Sequence, residues 1–268
     1  MFRSILSFLP YNWLYLRLII LFSFVIIAVL EVISLPSISL DIAYHHFADR
    51  RTIFTISNGS NVLSNVLFSI SGILGFRCFS HFKSSPTVLR WQFFFASITF
   101  VGLGSAYYHW FPSNNSLFWD RLPMALGFAS LAASLFAERF GERIGQVLFG
   151  PFIFLSTTSI VYWWFTEQLG LGDLRPYILA QYLPLLLMPI LLILFPKGVR
   201  WDRPYWILFI VYAIAKGFEW RDLAFYEWTS HIISGHTLKH VLSAMAILFF
   251  RPYTGDLIPI KDVSQEQE

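Results

Sequence analysis

Along the chain, apolar runs of roughly 20 residues, the length an α-helix needs to cross a hydrocarbon core, alternate with short polar breaks. The pattern predicts eight such spans, near residues 15–35, 61–79, 91–110, 118–138, 145–166, 176–196, 204–220 and 235–251. None of the breaks has the composition of a disordered linker or the length of a second domain. Pro123, Pro184 and Pro189 fall inside predicted spans, where proline frees a backbone carbonyl and can kink the helix. Beyond residue 252 the sequence turns polar and reads as a frayed tail. The predicted fold class is all-α, a polytopic membrane protein.

Composition agrees with the pattern. Hydrophobic residues make up 56% of the 268, charged residues only 13%, and the mean hydropathy is +0.59. A soluble domain is nearer 25% charged, so lipid is the expected solvent. Aromatic residues reach 19%, in keeping with rings anchoring many helix ends at the headgroup level. The first apolar segment is too long for a signal-peptide core and no small-residue cleavage site follows it, so it reads as a retained anchor. Cys78 is the single cysteine, which excludes an intramolecular disulfide. The formal charge of +3 is spread out, with no run of like charges, so nucleic acid is not an expected partner.

Charge does set an expected orientation. With eight spans both termini share one side, and that side collects twelve of the nineteen basic residues, among them Arg3, Arg139, Arg203, Arg251 and Lys261. The other side collects seven, among them Arg121, Lys216 and Lys239. The positive-inside rule then places both termini in the cytoplasm. Lean loops and the lack of a retention signal favour a bacterial inner membrane over the ER or Golgi.

Two polar clusters interrupt this lipid-adapted pattern. GLGSAYYHWFPSNNSLFWDRLPM, from Gly102 to Met124, carries Ser105, His109 and Asp120; SGHTLKH carries His236 and His240. Ionisable groups at membrane depth are costly and usually functional. His109 ends the third span, Asp120 opens the fourth and the two later histidines open the eighth, so span parity predicts one depth, at the non-cytoplasmic face. His236 and His240 are four apart and share one helix face. With His109 they would make a three-histidine zinc site whose fourth position stays open, and zinc lowers the pKa of bound water toward about 7. Asp120 would be the general base and proton shuttle. Ser105, one turn before His109, would donate to a developing oxyanion.

Taken singly, each group has an ordinary reading. A lone intramembrane serine bonds a backbone carbonyl, a lone histidine packs between helices, and Asp120 beside Arg121 can be a helix-start acid. Lys216 and Glu219 read as a pair, or as groups that orient a histidine ligand. His45, His46, His81 and His231 read as loop or interface residues, and Trp163 and Trp164 as members of an aromatic belt.

The segments GSAYYHWFPSNNSLFWDRLPM, SGHTLKH and ISNGSNVLSNVLF resemble the alkaline ceramidase family, part of a superfamily of seven-helix membrane hydrolases and receptors sharing Ser-x3-His, Asp and His-x3-His. Ser105 and His109 match the first motif, Asp120 the second, His236 and His240 the third. The resemblance implies a seven-helix catalytic domain over 44–252, preceded by an N-terminal transmembrane helix and loop at 1–43 and followed by a tail at 253–268. It also implies hydrolysis of the amide bond of a ceramide-like lipid, with zinc held by the three histidines. Animal members carry an acidic calcium site. Here only Asp49, Asn58 and Asn61 stand in that region, and no Glu occurs between Glu31 and Glu138, which makes calcium doubtful; the two asparagines read instead as caps and interhelical donors. A lipid esterase that remodels glycolipid anchors, a non-catalytic zinc receptor, and a transporter or haem carrier remain as alternatives.

Overall fold

The computed structural model describes residues 11–250, 252, 254 and 257–259. Arg3, Arg251, Lys261 and most of the expected polar tail lie outside the described residues. Helix occupies each of the eight expected stretches: α1 (Tyr11–Ser34), α2 (Gly59–Ser64) with α3 (Val66–Phe79), α4 (Pro86–Trp110), α5 (Asn114–Phe140), α6 (Glu142–Gln168), α7 (Arg175–Leu194), α8 (Val199–Trp220) and α10 (Gly235–Phe249). The short α9 (Asp222–Trp228) is an addition that the hydrophobic pattern does not predict. No strand is present among the described residues, and the protein is an all-α polytopic membrane protein.

The second stretch divides at Asn65 for a local reason. The Asn65 side-chain amide donates to the Asn61 carbonyl at 2.7 Å, the acceptor that its own backbone N–H would use in an unbroken helix. The backbone N–H turns to Val62 O instead, and α2 ends there.

Five segments are long and apolar enough to cross a membrane: Trp13–Ser34, Gly59–Phe79, Pro86–Trp110, Glu142–Gln168 and Arg175–Leu194. The helices α5, α8 and α10 fall short of that length-and-composition standard. The reason is physical. α5 and α8 carry buried polar groups, including Asp120, Arg121, Arg139 and Asp202, and α10 has only 15 residues. Polar groups of this kind face a bundle interior rather than lipid.

Six helices close a ring, in which α3 packs on α4, α4 on α5, α5 on α7, α7 on α8, α8 on α10, and α10 back on α3. α6 lies outside the ring against α5 and α7, and α1 leans on α7 with only 6% of its span buried. Close packing, rather than escape from water, holds helices together in lipid, and small residues permit it. α5 supplies them, burying Ala125, Ala129, Ala132, Ala133 and Ala137; a Cβ on Gly145 of α6 would come within 2.3 Å of the Ala137 Cβ.

Ion pairs staple one end of the ring. The Arg90 guanidinium of α4 grips both oxygens of Glu142 on α6 at 2.8 and 2.7 Å. The Arg139 guanidinium at the end of α5 meets Asp202 at the start of α8 at 2.7 Å, and the Tyr205 hydroxyl donates to Glu138 at 2.6 Å. The histidines lie at the other end, where α4 stops and α10 starts.

Candidate metal and catalytic site

His109 is the penultimate residue of α4, and His236 and His240 occupy the first two turns of α10. The start of α10 is set by Ser234, whose hydroxyl accepts the Thr237 N–H at 3.1 Å. The three rings converge with centroids 4.8 to 4.9 Å apart, and one ligand nitrogen from each lies within 4.8 Å of the others. His109 and His240 are each 1% exposed, while His236 keeps 12% of its side chain accessible. His236 Nε2 lies 3.2 Å from His109 Nε2. A tetrahedral ion with metal–nitrogen bonds near 2.0–2.1 Å needs ligand nitrogens about 3.3 Å apart, and this pair stands at that spacing.

Two buried nitrogens in this cluster, His109 Nδ1 and His240 Nε2, have no hydrogen-bond partner among the described residues. The His240 orphan asks for a ligand; an ion that takes His109 through Nε2, beside His236 Nε2, leaves His109 Nδ1 on the far edge of its ring. The other faces of the rings are oriented by protein. His240 Nδ1 meets the Ser64 hydroxyl at 2.9 Å, and His236 Nδ1 lies 3.7 Å from Glu219 Oε1. Lys239 Nζ sits 3.2 Å from His236 Nε2 and 2.7 Å from Glu219 Oε1. An ammonium only donates, so His236 Nε2 presents its lone pair and the ring proton falls on Nδ1, facing Glu219. Glu219 also accepts from Lys216, three residues before it on α8. Lys216 and Glu219 therefore pair, the first of the two readings open in the sequence, and the carboxylate also lies beside His236.

Inside the ring of helices is a cavity of about 400 Å³, and His240, Ser105, Asp120, Glu219 and Lys239 lie on its wall. Ser105 stands beside the Asp120 carboxylate on that wall. The rest of the lining is largely apolar, with Phe94, Ile98, Met124, Leu131, Met188 and Leu208 extending away from the histidines. Ser105 and Asp120 meet because α4 and α5 touch backbone to backbone. Pro123 leaves Trp119 C=O without its helical donor, and that carbonyl rests against Gly104, where a Cβ would come within 2.0 Å of it.

Several neighbours were not legible in the sequence. Trp163 does not join an aromatic belt: it is fully buried, donates to Glu167, and with Tyr44 and Tyr177 cages the Arg121 guanidinium, whose carbon lies 4.5 Å from the Trp163 ring. Trp164 is half-buried and donates to Asn115 at 2.9 Å. Lys239 sits between two site histidines in SGHTLKH and Ser64 lies in ISNGSNVLSNVLF, so their positions were the signal; the loop residue Phe47, whose ring lies 4.5 Å from that of His109, carried none.

The residues near Asp49 do not fit calcium. Asp49 is fully buried, but Arg51 Nε and Nη2 occupy its two oxygens at 2.9 and 2.7 Å. Burial pushes the Asp49 carboxyl up, and the hydrogen bonds from Arg51 and Ser60 outweigh it and hold the group below the usual carboxylate range. Asn58 stands at the start of α2 without capping it and donates to His109 O at 2.8 Å, while Asn61 reaches Asp49 O and Thr237. The two asparagines thus bond neighbouring segments. Outside the cluster, His45 bonds Tyr108 and Asn114, His81 bonds Arg77 O, and His231 packs on Tyr226.

Comparison with curated proteins returned no match. The profile of the family described as Ceramidase matches residues 51–195, which include Ser105, His109 and Asp120 and stop short of His236 and His240. That match spans more than half of the 268 residues, and the chain belongs to the ceramidase family.

Proposed function

We propose that the protein is an intramembrane, zinc-dependent amidase that cleaves a ceramide-like lipid into a sphingoid base and a fatty acid. The observation that carries this reading is the cluster of three converging histidines, of which His240 reaches the wall of a largely apolar cavity that also bears Ser105 and Asp120. Cavities of roughly 300–1,000 Å³ hold small-molecule ligands, and this one, at about 400 Å³, is mostly apolar along its length.

His109, His236 and His240 would hold the zinc, which would supply a polarised water at neutral pH. The chain's own groups do the rest. The apolar wall takes the acyl and base chains and brings the amide to the histidine end. Asp120 accepts the proton lost by the attacking water and delivers it to the departing amide nitrogen, so that the C–N bond breaks to a neutral amine. Ser105 turns its hydroxyl between the Asp120 carboxylate and the substrate oxygen, donating where negative charge develops. Glu219 holds His236 in the tautomer that offers Nε2.

The distribution of basic residues supports cytoplasmic termini and a site near the non-cytoplasmic face, and the lean loops favour a bacterial inner membrane. The division into an anchor at 1–43, a catalytic domain at 44–252 and a tail at 253–268 is part of the same reading; α1 leans on the outside of the ring, as an anchor would.

Product release from a panel of ceramides, with metal assayed on the same detergent-purified sample, tests the proposal. Wild-type protein is expected to release fatty acid and sphingoid base, and His236→Ala to lose both zinc and turnover. Bound zinc with hydrolysis of lipid esters alone would overturn the amidase assignment, and a wild-type protein that binds no zinc would overturn the site.

A further inference from the structure

We propose that Arg51 is a positioning residue for the histidine cluster: its guanidinium acts as a built-in cation that ties the loop over residues 46–51 to the turn leading into α10, and so sets His236 against His109. The inference rests on the reading of the three histidines as a metal site.

The guanidinium has three anchors. Nε and Nη2 fork onto the two oxygens of Asp49, and Nη2 also donates to Ile232 O at 2.8 Å. Ile232 lies in the turn between α9 and α10, where Ser230 and His231 take left-handed backbone angles, φ +53° and +63°. Non-glycine residues resist that region at about 1–2 kcal/mol each, so such a turn persists only where outside bonds hold it. Thr229 contributes one by donating to Ile233 O at 2.8 Å, and Arg51 contributes one from a distant part of the chain. Two residues beyond Ile232, Ser234 caps α10, so a relaxed turn would move the helix that carries His236 and His240.

The other end of the loop reaches the histidines directly. Phe47 packs against His109 and His236, with centroids at 4.5 and 5.3 Å. Ala48 N–H donates to Asp222 Oδ2 at 3.0 Å, and Asp222 Oδ1 accepts the His236 backbone N–H at 2.7 Å. Asp49 O accepts from Asn61 Nδ2 at 3.4 Å, and Asn61 Oδ1 accepts from Thr237 at 2.6 Å. Each path joins the loop to the first turn of α10. A metal site tolerates only about 0.2 Å of error in ligand distance, and here two ligands on α10 must meet one on α4. Neutral packing alone would leave the Asp49 carboxylate, fully buried, without a counter-charge. A bound divalent cation would need the same two oxygens, so the loop does its work without one.

The test uses the full chain in detergent and reads zinc affinity by chelator competition, alongside thermal stability and turnover. Wild-type affinity is expected to be the same in calcium-depleted buffer and with millimolar calcium. Arg51→Ala is expected to bind zinc at least about tenfold more weakly, in the range known for residues that orient metal ligands, with recovery when guanidinium ion is added. Arg51→Lys, which keeps the charge and loses the fork, should fall between them, and it serves where the alanine variant does not fold. Arg51→Ala or Arg51→Lys with wild-type zinc affinity would overturn the proposal, as would a wild-type affinity that rises with calcium. Wild-type protein without zinc is a different failure, that of the metal site itself.

Discussion

At the scale of the residue, the site depends on a division of labour between groups that face the cavity and groups that hold them. His240 presents Nε2 because Ser64 engages Nδ1, and His236 presents Nε2 because Glu219 faces Nδ1. Asp120 stands apart from this holding set, since it lies beside Ser105 and lines the cavity without belonging to the histidine cluster. In the proposed mechanism metal binding and proton transfer are therefore separable. Asp120→Asn keeps the volume and removes the proposed base. It is expected to retain zinc and lower turnover by about a hundred- to ten-thousandfold, the usual worth of a general acid–base group. Metal analysis and a turnover assay on one preparation check it; near-wild-type turnover would remove Asp120 from the mechanism.

At the scale of the element, the decisive contact is that of α4 with α5. These two helices carry Ser105, His109 and Asp120, and their approach depends on Gly104 meeting the carbonyl that Pro123 leaves free. A Cβ at Gly104 would fall 2.0 Å from Trp119 O and 2.7 Å from Trp119 C, and backbone atoms cannot swing aside as a side-chain end can. Gly104→Ala is expected to destabilise by about 1–3 kcal/mol, the usual cost of overpacking, and to lower turnover by parting Ser105 from Asp120. Gly150→Ala is the control: nothing lies within 4 Å of its Cβ, so thermal unfolding and turnover should stay near wild type. Equal behaviour of the two variants would show that the close approach is dispensable.

At the scale of the whole molecule, the ring separates a stapled end from the end that carries the histidines. Arg139 and Asp202 join α5 to α8 far from the histidines, with side chains 0% and 11% exposed. Arg139→Ala leaves Asp202 without its counter-charge, and breaking a buried pair in this way costs about 3–5 kcal/mol. A lower unfolding temperature with unchanged zinc affinity is expected, measured by thermal denaturation and metal competition. Loss of zinc from the folded variant would mean that the two ends are coupled.

Much of this was legible before any coordinates. The eight helical stretches follow from the length of apolar runs, because a backbone in lipid must satisfy its own hydrogen bonds and helix is the one local way to do so. His109, His236 and His240 stood out because polar groups are expensive in that solvent, and the i, i+4 spacing put two of them on one helix face. Local rules of this kind act over a few residues and can be read along a chain. The partners of Arg51, the bond from Ser64 to His240 and the cage of Tyr44, Trp163 and Tyr177 around Arg121 join positions separated by tens to more than a hundred residues. Nothing in the local pattern distinguishes Trp163, at the centre of that cage, from Trp164 beside it, yet one is buried against a cation and the other is half-buried. Solvent and helix geometry determine which residues are costly and which share a face; only the packing of the ring decides which of them meet, because that depends on how closely each pair of helices can approach.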